Sequence, residues 1–84
     1  MTDREYEILD ALYFTISFDS LKNELEAEEG MLKDELIALI EKDWVKCLEK
    51  ISEKEIEEIE LVRNNYKEYN FLASKKGLTI HNSR

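Results

Sequence analysis

The sequence lacks the features of a secreted or membrane-spanning chain. It contains one cysteine, Cys47, which excludes an internal disulfide and fits a reducing compartment. It has no run of 18 apolar residues, and no basic segment followed by an apolar one at its start. We therefore expect a cytoplasmic protein with no transmembrane helix, no signal peptide and no membrane partner.

Patterns that indicate catalysis or cofactor binding are also missing. The sequence has no glycine-rich phosphate loop, no nucleophile elbow and no His/Cys/Asp cluster with metal-ligand spacing. The acidic residues 26–29 lack the order of a calcium loop and are interpreted as a solvated turn. Cys47 is expected to be a small buried side chain and His81 an exposed one. We predict no enzyme activity, no catalytic residue, no metal and no cofactor.

The sequence does contain enough apolar residues to build one small core. Of its 84 residues, 43% are hydrophobic and 38% are charged. This balance is typical of a folded domain and not of a disordered chain. A chain of this length forms a single domain that is too small to enclose a deep cleft.

The charge is strongly negative and unevenly distributed. Twenty acidic and twelve basic side chains give a net charge of −8, which repels nucleic-acid phosphates at long range. Residues 1–30 hold nine acidic and two basic side chains, a net of −7. Residues 63–84 hold five basic side chains and one acidic, a net of +4. An acidic first part is thus joined to a locally basic C-terminal part.

A helix that runs directly into a strand is the central pattern of the chain. Apolar residues recur at spacings of three and four from Met31 onward, which predicts a helix over residues 31–43. Residues 44–49 are rich in residues that favour strands. Trp44 lies at the corner between the two and is expected to pack on the core.

Local signals organise the first thirty residues. Thr2 followed by Glu5 predicts a capping box at the start of the first helix. Residues 14–16 are aromatic and β-branched and predict a short strand. Ser17 or Asp19 is the expected N-cap of a second, short helix. We expect that helix to end in a left-handed turn at Gly30.

Residues 53–65 also have helical spacing and predict a further helix. Ser52 and Glu55 form a second possible capping box, and the apolar residues Ile56, Ile59, Val62 and Tyr66 recur at spacings of three, three and four. An extended wing made of strands is the alternative for this segment. Its apolar face has two possible partners, which are the domain's own core and the same helix of a second chain in a homodimer through residues 53–66.

Three segments together resemble the winged helix-turn-helix superfamily of bacterial transcription regulators. They are ISFDSLKNEL, LKDELIALIEKDWV and YNFLASKKGL, and the resemblance covers most of residues 4–80. It implies an α+β fold in which a three-helix core is followed by a β-hairpin called the wing. Residues 1–50 would form the helical core and first wing strand, 51–66 an inserted helix, and 67–84 the second wing strand and C-terminal segment.

The resemblance implies a transcriptional regulator that reads double-stranded DNA with helix 31–43 and the wing. The positions expected to contact DNA are Lys33, Asp34, Ala38, Lys42, Arg63, Lys67, Lys75 and Lys76. The acidic charge supports a second hypothesis, since the same fold is used in both ways. In it the domain is a protein–protein interaction module that binds a basic protein and no DNA.

Overall fold

In the computed structural model, which describes residues 1–83, five α-helices pack with a three-stranded antiparallel sheet in an α+β fold. In chain order the elements are α1 (Asp3–Ala11), β1 (Ile16–Ser17), α2 (Phe18–Leu25), α3 (Glu29–Glu41), β2 (Val45–Glu49), α4 (Ile59–Asn65), a single 3₁₀ turn (Tyr66–Glu68), β3 (Tyr69–Ala73) and α5 (Lys75–Asn82). None of the helices within residues 1–83 has both the length and the apolar character needed to cross a bilayer.

Two predicted helix starts are confirmed. The Thr2 hydroxyl accepts a hydrogen bond from the Glu5 N–H at 3.1 Å, and the Glu5 carboxylate accepts one from the Thr2 N–H at 2.9 Å. At α2 the Ser17 hydroxyl accepts a hydrogen bond from the Ser20 N–H, so Ser17 and not Asp19 is the N-cap. In both places the side chain satisfies a backbone donor that the helix itself leaves unpaired.

The prediction of a left-handed turn at Gly30 is wrong. The residue in that conformation is Glu26, with φ 52° and ψ 44°, and it ends α2. Gly30 lies inside the first turn of α3, which begins at Glu29 and not at the predicted Met31. The reason is Glu28, whose carboxylate accepts a hydrogen bond from the Met31 N–H at 2.7 Å and caps α3 early.

The sheet has the strand order β1-β3-β2, with β3 in the centre. Val45 pairs with Ala73 and Cys47 with Phe71, and all four side chains are buried. These positions alternate along the strands, so they share the face that packs on the core. The predicted strand at residues 44–49 is confirmed, whereas the short strand predicted at 14–16 lies instead at Ile16–Ser17.

The inserted helix is shorter than predicted. Within the predicted helix only Ile59–Asn65 is helical, and residues 54–58 run in an extended path beside β2, joined to it by a bridge between Leu48 and Glu55. The second capping box does not form, because the Ser52 hydroxyl donates to the Glu49 carboxylate and Glu53 has a left-handed φ of 60°. The helix prediction is therefore correct for residues 59–65, and the extended alternative describes residues 54–58.

The apolar side of α4 packs on the domain's own core. Val62 is 1% exposed, and the side chains of Ile56, Ile59 and Tyr66 pack against the same cluster. Leu61 is the large apolar side chain of this segment that remains at the surface, at 42% exposure. Homodimerisation through residues 53–66 stays a prediction, and Leu61 is the side chain that a second copy would meet.

The core confirms the interpretation of Cys47, which is 1% exposed. Burial raises the pKa of its thiol to about 12, so it stays protonated and unreactive near neutral pH. Trp44 is half-buried and packs against the same core. Its backbone carbonyl also stabilises the corner, because it accepts a hydrogen bond from the Ser74 N–H at 2.9 Å.

The helix α5 sits unusually close to this corner. Its N-cap, Ser74, accepts a hydrogen bond from the Gly77 N–H and donates one to the Asp43 carbonyl at 2.6 Å. A Cβ at Gly77 would lie 2.1 Å from the carbonyl oxygen of Trp44, well inside van der Waals contact. Only glycine permits this approach, which explains the glycine in the Lys75-Lys76-Gly77-Leu78 segment.

Candidate protein or nucleic-acid interface

The exposed face of α3 is acidic. Helical spacing places Met31, Asp34, Ala38 and Glu41 in one line along the helix, and all four are exposed. We call these four residues the α3 stripe. Four positions on helix 31–43 are predicted to contact DNA, and only Asp34 and Ala38 belong to the α3 stripe. The stripe contains two carboxylates and no basic side chain.

Lys42 does not extend this stripe, because its side chain turns toward α1. Its ammonium nitrogen lies 2.5 Å from the Glu5 carboxylate and 4.6 Å from the centre of the Trp44 ring. The hydrogen bond from Lys42 is the main cause that lowers the pKa of Glu5, with the Thr2 N–H adding to it. Lys42 therefore joins α3 to α1 and is already paired with an acid.

A second bridge joins the same two helices. The Arg4 guanidinium nitrogen Nε lies 3.1 Å and 3.0 Å from the two carboxylate oxygens of Glu35. Both side chains are partly buried, at 32% and 27% exposure, so water and salt screen the attraction between them less than in a surface pair. The charges between α1 and α3 thus serve the packing of the two helices.

Lys33 and Lys67 meet at a different place, around Glu29 and Tyr66. The Tyr66 hydroxyl donates to one Glu29 oxygen at 2.5 Å, and the Lys67 ammonium lies 3.2 Å from the other. The Lys33 ammonium lies 5.1 Å from the centre of the Tyr66 ring, and this ring also packs on Phe18, with ring centres 4.7 Å apart. This group, the Glu29 cluster, fastens the segment after α4 to α2 and α3.

The Glu29 cluster shifts the titration of its members. The Tyr66 hydroxyl, followed by Lys67, holds the pKa of Glu29 below its ordinary value of 4.5. The same contacts raise the pKa of Tyr66 and of Lys67 above their ordinary values. The pKa of Glu29 falls because its neighbours stabilise its ionised form, and the pKa values of Tyr66 and Lys67 rise mainly because ionised Glu29 stabilises their protonated forms.

We expect Tyr66→Phe to raise the pKa of Glu29 toward 4.5, because the carboxylate loses its strongest donor. In the wild type the Glu29 pKa is lower in the folded state, so this contribution to stability is complete above pH 4.5 and is lost as the pH falls through the folded-state value. A carboxyl NMR titration measures both midpoints. Tyr69→Phe is the matched control, and an unchanged Glu29 midpoint in Tyr66→Phe would contradict the assignment.

Lys75 and Lys76 lie in the first turn of α5. The fold brings a third lysine beside them that the sequence analysis missed. Lys46 of β2 lines the same open cleft between β2 and α5, together with Asp43. The signal was present, because strand alternation puts Lys46 on the sheet face opposite to Val45 and Cys47. We call Lys46, Lys75 and Lys76 the lysine patch.

Arg63, the last of the predicted positions, pairs with Glu60 one turn earlier on α4, at 3.5 Å. The eight predicted positions therefore divide among several places. These are the α3 stripe, the bridge from Lys42 to Glu5, the Glu29 cluster, the lysine patch and α4.

The prediction that His81 is exposed is wrong. Its side chain is 7% exposed and stacks on Tyr6, with ring centres 4.2 Å apart. The Tyr13 hydroxyl lies 3.0 Å from Nδ1 of His81 and donates to Asn82 at 2.6 Å. The isolated position of His81 near the end of the sequence concealed this, because the packing of α5 on α1 is a long-range contact.

No protein family, curated protein or solved structure matches the chain. The assignment of a function therefore depends on the surfaces described above.

Proposed function

We propose that this chain is a winged-helix domain that binds a basic segment of another protein and does not bind DNA. The winged-helix assignment is supported by the short strand β1 that leads into α2 and by β2 directly after α3. It is also supported by the antiparallel pairing of β2 with β3, which leads into the last helix. These are the features that the superfamily resemblance implies.

The observation that carries the functional proposal is the α3 stripe. In a DNA-binding winged helix this face would lie in the major groove, between two rows of phosphates. Here it presents Asp34 and Glu41, while Lys42 is paired with Glu5. Two carboxylates facing phosphates repel them, and the low dielectric of a closed interface strengthens the repulsion.

The same charges favour a cationic protein segment. The net charge is −8, and nine of the twenty acidic residues lie in the first thirty. Complementary charge of this kind accelerates encounter with a basic partner and selects against acidic ones. Lysine and arginine side chains on the partner would therefore meet the acidic half of the domain.

Two titrations test the proposal. In the first, a labelled random duplex is titrated with protein across a salt series and followed by fluorescence anisotropy. In the second, ¹⁵N-labelled protein is titrated with a synthetic lysine–leucine amphipathic peptide and followed by NMR. We expect no duplex binding at about 50 mM salt and saturable peptide binding at about 150 mM salt. Duplex binding, or the absence of saturable peptide binding, would overturn the proposal.

DNA binding is the second candidate, and the lysine patch is the observation that favours it. Lys46, Lys75 and Lys76 line one cleft, which includes a single carboxylate, that of Asp43. If this patch contacts phosphates, duplex affinity falls with salt at a slope of about −0.9 per contact. Reversing Lys75 and Lys76 to Glu would then abolish duplex binding, whereas reversing Lys50 and Lys54 in the β2 turn would reduce it far less.

A further inference from the structure

Phe14 is an exposed aromatic side chain in an otherwise well-packed part of the domain. It is 82% exposed, although the strand β1 begins only two residues later. A single exposed apolar residue is common and marks nothing by itself. The backbone that holds Phe14 and the cleft beside it distinguish this position from an ordinary surface residue.

The backbone around Phe14 is fixed on both sides. Before it, the Leu12 carbonyl accepts a hydrogen bond from the Ala73 N–H at 2.9 Å, and the Tyr13 hydroxyl is bonded to Asn82. After it, β1 pairs with the central strand β3. Because the backbone on both sides is already held in place, binding at Phe14 costs little backbone entropy, and the burial of its ring can contribute to affinity.

Phe14 lines an open cleft of about 350 Å³ between α1 and α2. This volume is at the lower end for ligand pockets and suits one large side chain. The apolar part of the lining is Ala11, Phe14 and Leu25, and the acidic part is Glu7, Asp10 and Glu24. No lysine or arginine among the described residues lines this cleft, although Nη1 of Arg4 lies 3.8 Å from a Glu7 oxygen. We call it the Phe14 cleft.

The imidazole of His81 lies behind the acidic side of the cleft. Its Nε2 is buried and lies 3.2 Å from an Asp10 oxygen, without a hydrogen-bond partner among residues 1–83. The Asp10 side chain is itself 65% exposed and lines the cleft, so a bound cation can reach its carboxylate.

We infer that the Phe14 cleft is the docking site of the domain, and that its occupant is a cationic segment of another protein with one large apolar side chain between lysines or arginines. The apolar side chain covers Phe14 and enters the cleft, and the flanking cations meet Glu7, Asp10 and Glu24. Charge complementarity selects this occupant over a phosphate-bearing one. The inference rests on the proposed function and names its surface.

Two peptides of equal charge test the site, one with a central leucine among lysines and the other with serine in its place. Phe14→Ser removes an exposed side chain and leaves the fold intact. We expect it to lower the affinity for the leucine peptide about tenfold and the affinity for the serine peptide less than about twofold. Ile51→Ser is the matched control, because Ile51 is 96% exposed in the turn after β2 and lies outside the cleft.

The acidic side is tested with a second matched pair of variants. The double variant Glu7→Gln, Glu24→Gln should lower the affinity for both peptides and make that affinity depend less on salt. The control, Glu57→Gln with Glu58→Gln, removes the same charge elsewhere and should have a smaller effect. Peptide binding that is unaffected by Phe14→Ser, or equally affected by Ile51→Ser, would overturn the inference alone. If the wild type binds neither peptide, the proposed function fails as well.

Discussion

Gly77→Ala should strongly destabilise the domain, although it adds only a methyl group. The new Cβ would lie 2.1 Å from the Trp44 carbonyl oxygen and 2.9 Å from its carbonyl carbon, and both atoms are backbone. Neither atom moves unless α5 separates from the corner that Ser74 fastens through the Asp43 carbonyl. We expect a loss of about 3 kcal/mol in the free energy of unfolding, as for severe overpacking. Thermal unfolding measures it as a drop of about 4–8 °C per kcal/mol.

Gly30→Ala is the matched control, because both glycines lie in helices. At Gly30 the nearest atoms to a new Cβ are the carboxylate oxygens of Glu28, at 3.4 Å, and that side chain can adjust. Alanine favours the helix over glycine by about 0.5–1 kcal/mol, so this variant should be as stable as the wild type or slightly more so. Equal stability of the Gly77 and Gly30 variants would contradict the close approach of α5 to the corner.

Val62→Asp should unfold the domain, because it places a charge in the core. Val62 is 1% exposed and belongs to the single cluster that includes residues of α1, α2, α3 and both long strands. A buried carboxylate without a partner costs several kcal/mol, on the order of the whole stability of a small domain. Urea unfolding followed by circular dichroism should show little or no folded baseline.

Leu61→Asp adds the same charge one position earlier and is the control. Leu61 is 42% exposed, so we expect the stability to change by less than about 1 kcal/mol. Equal effects of the two substitutions would show that α4 does not dock on the core with Val62 inward. If residues 53–66 form a homodimer, the melting temperature of the wild type should rise with protein concentration, and Leu61→Asp should remove that dependence.

Short-range signals in the sequence predicted the parts of the fold that depend on neighbouring residues. The capping box at Thr2 and Glu5 and the cap at Ser17 formed as expected, because their partners are three residues away. The strand at residues 45–49 and the burial of Cys47 followed from composition and alternation. These elements need only the period of the local structure and an apolar face.

The errors occurred where a local signal competed with a longer contact. Residues 54–58 belong to the segment with helical spacing, yet they form an extended path because β2 offers backbone partners to them. The Ile56 N–H donates to the Cys47 carbonyl and the Glu49 N–H to the Lys54 carbonyl. At the end of α2, the cap that Glu28 provides for α3 displaced the expected turn from Gly30 to Glu26.

The sequence by itself determined the helix and strand periods, the charge imbalance and the positions of most core residues. Only the tertiary structure decided which charges remain available at the surface. Lys42 and Glu5 are 37 residues apart and yet paired, and His81 lies against Asp10 across the packing of α5 on α1. Contacts between distant segments depend on how helices and strands pack, and no local pattern records that packing.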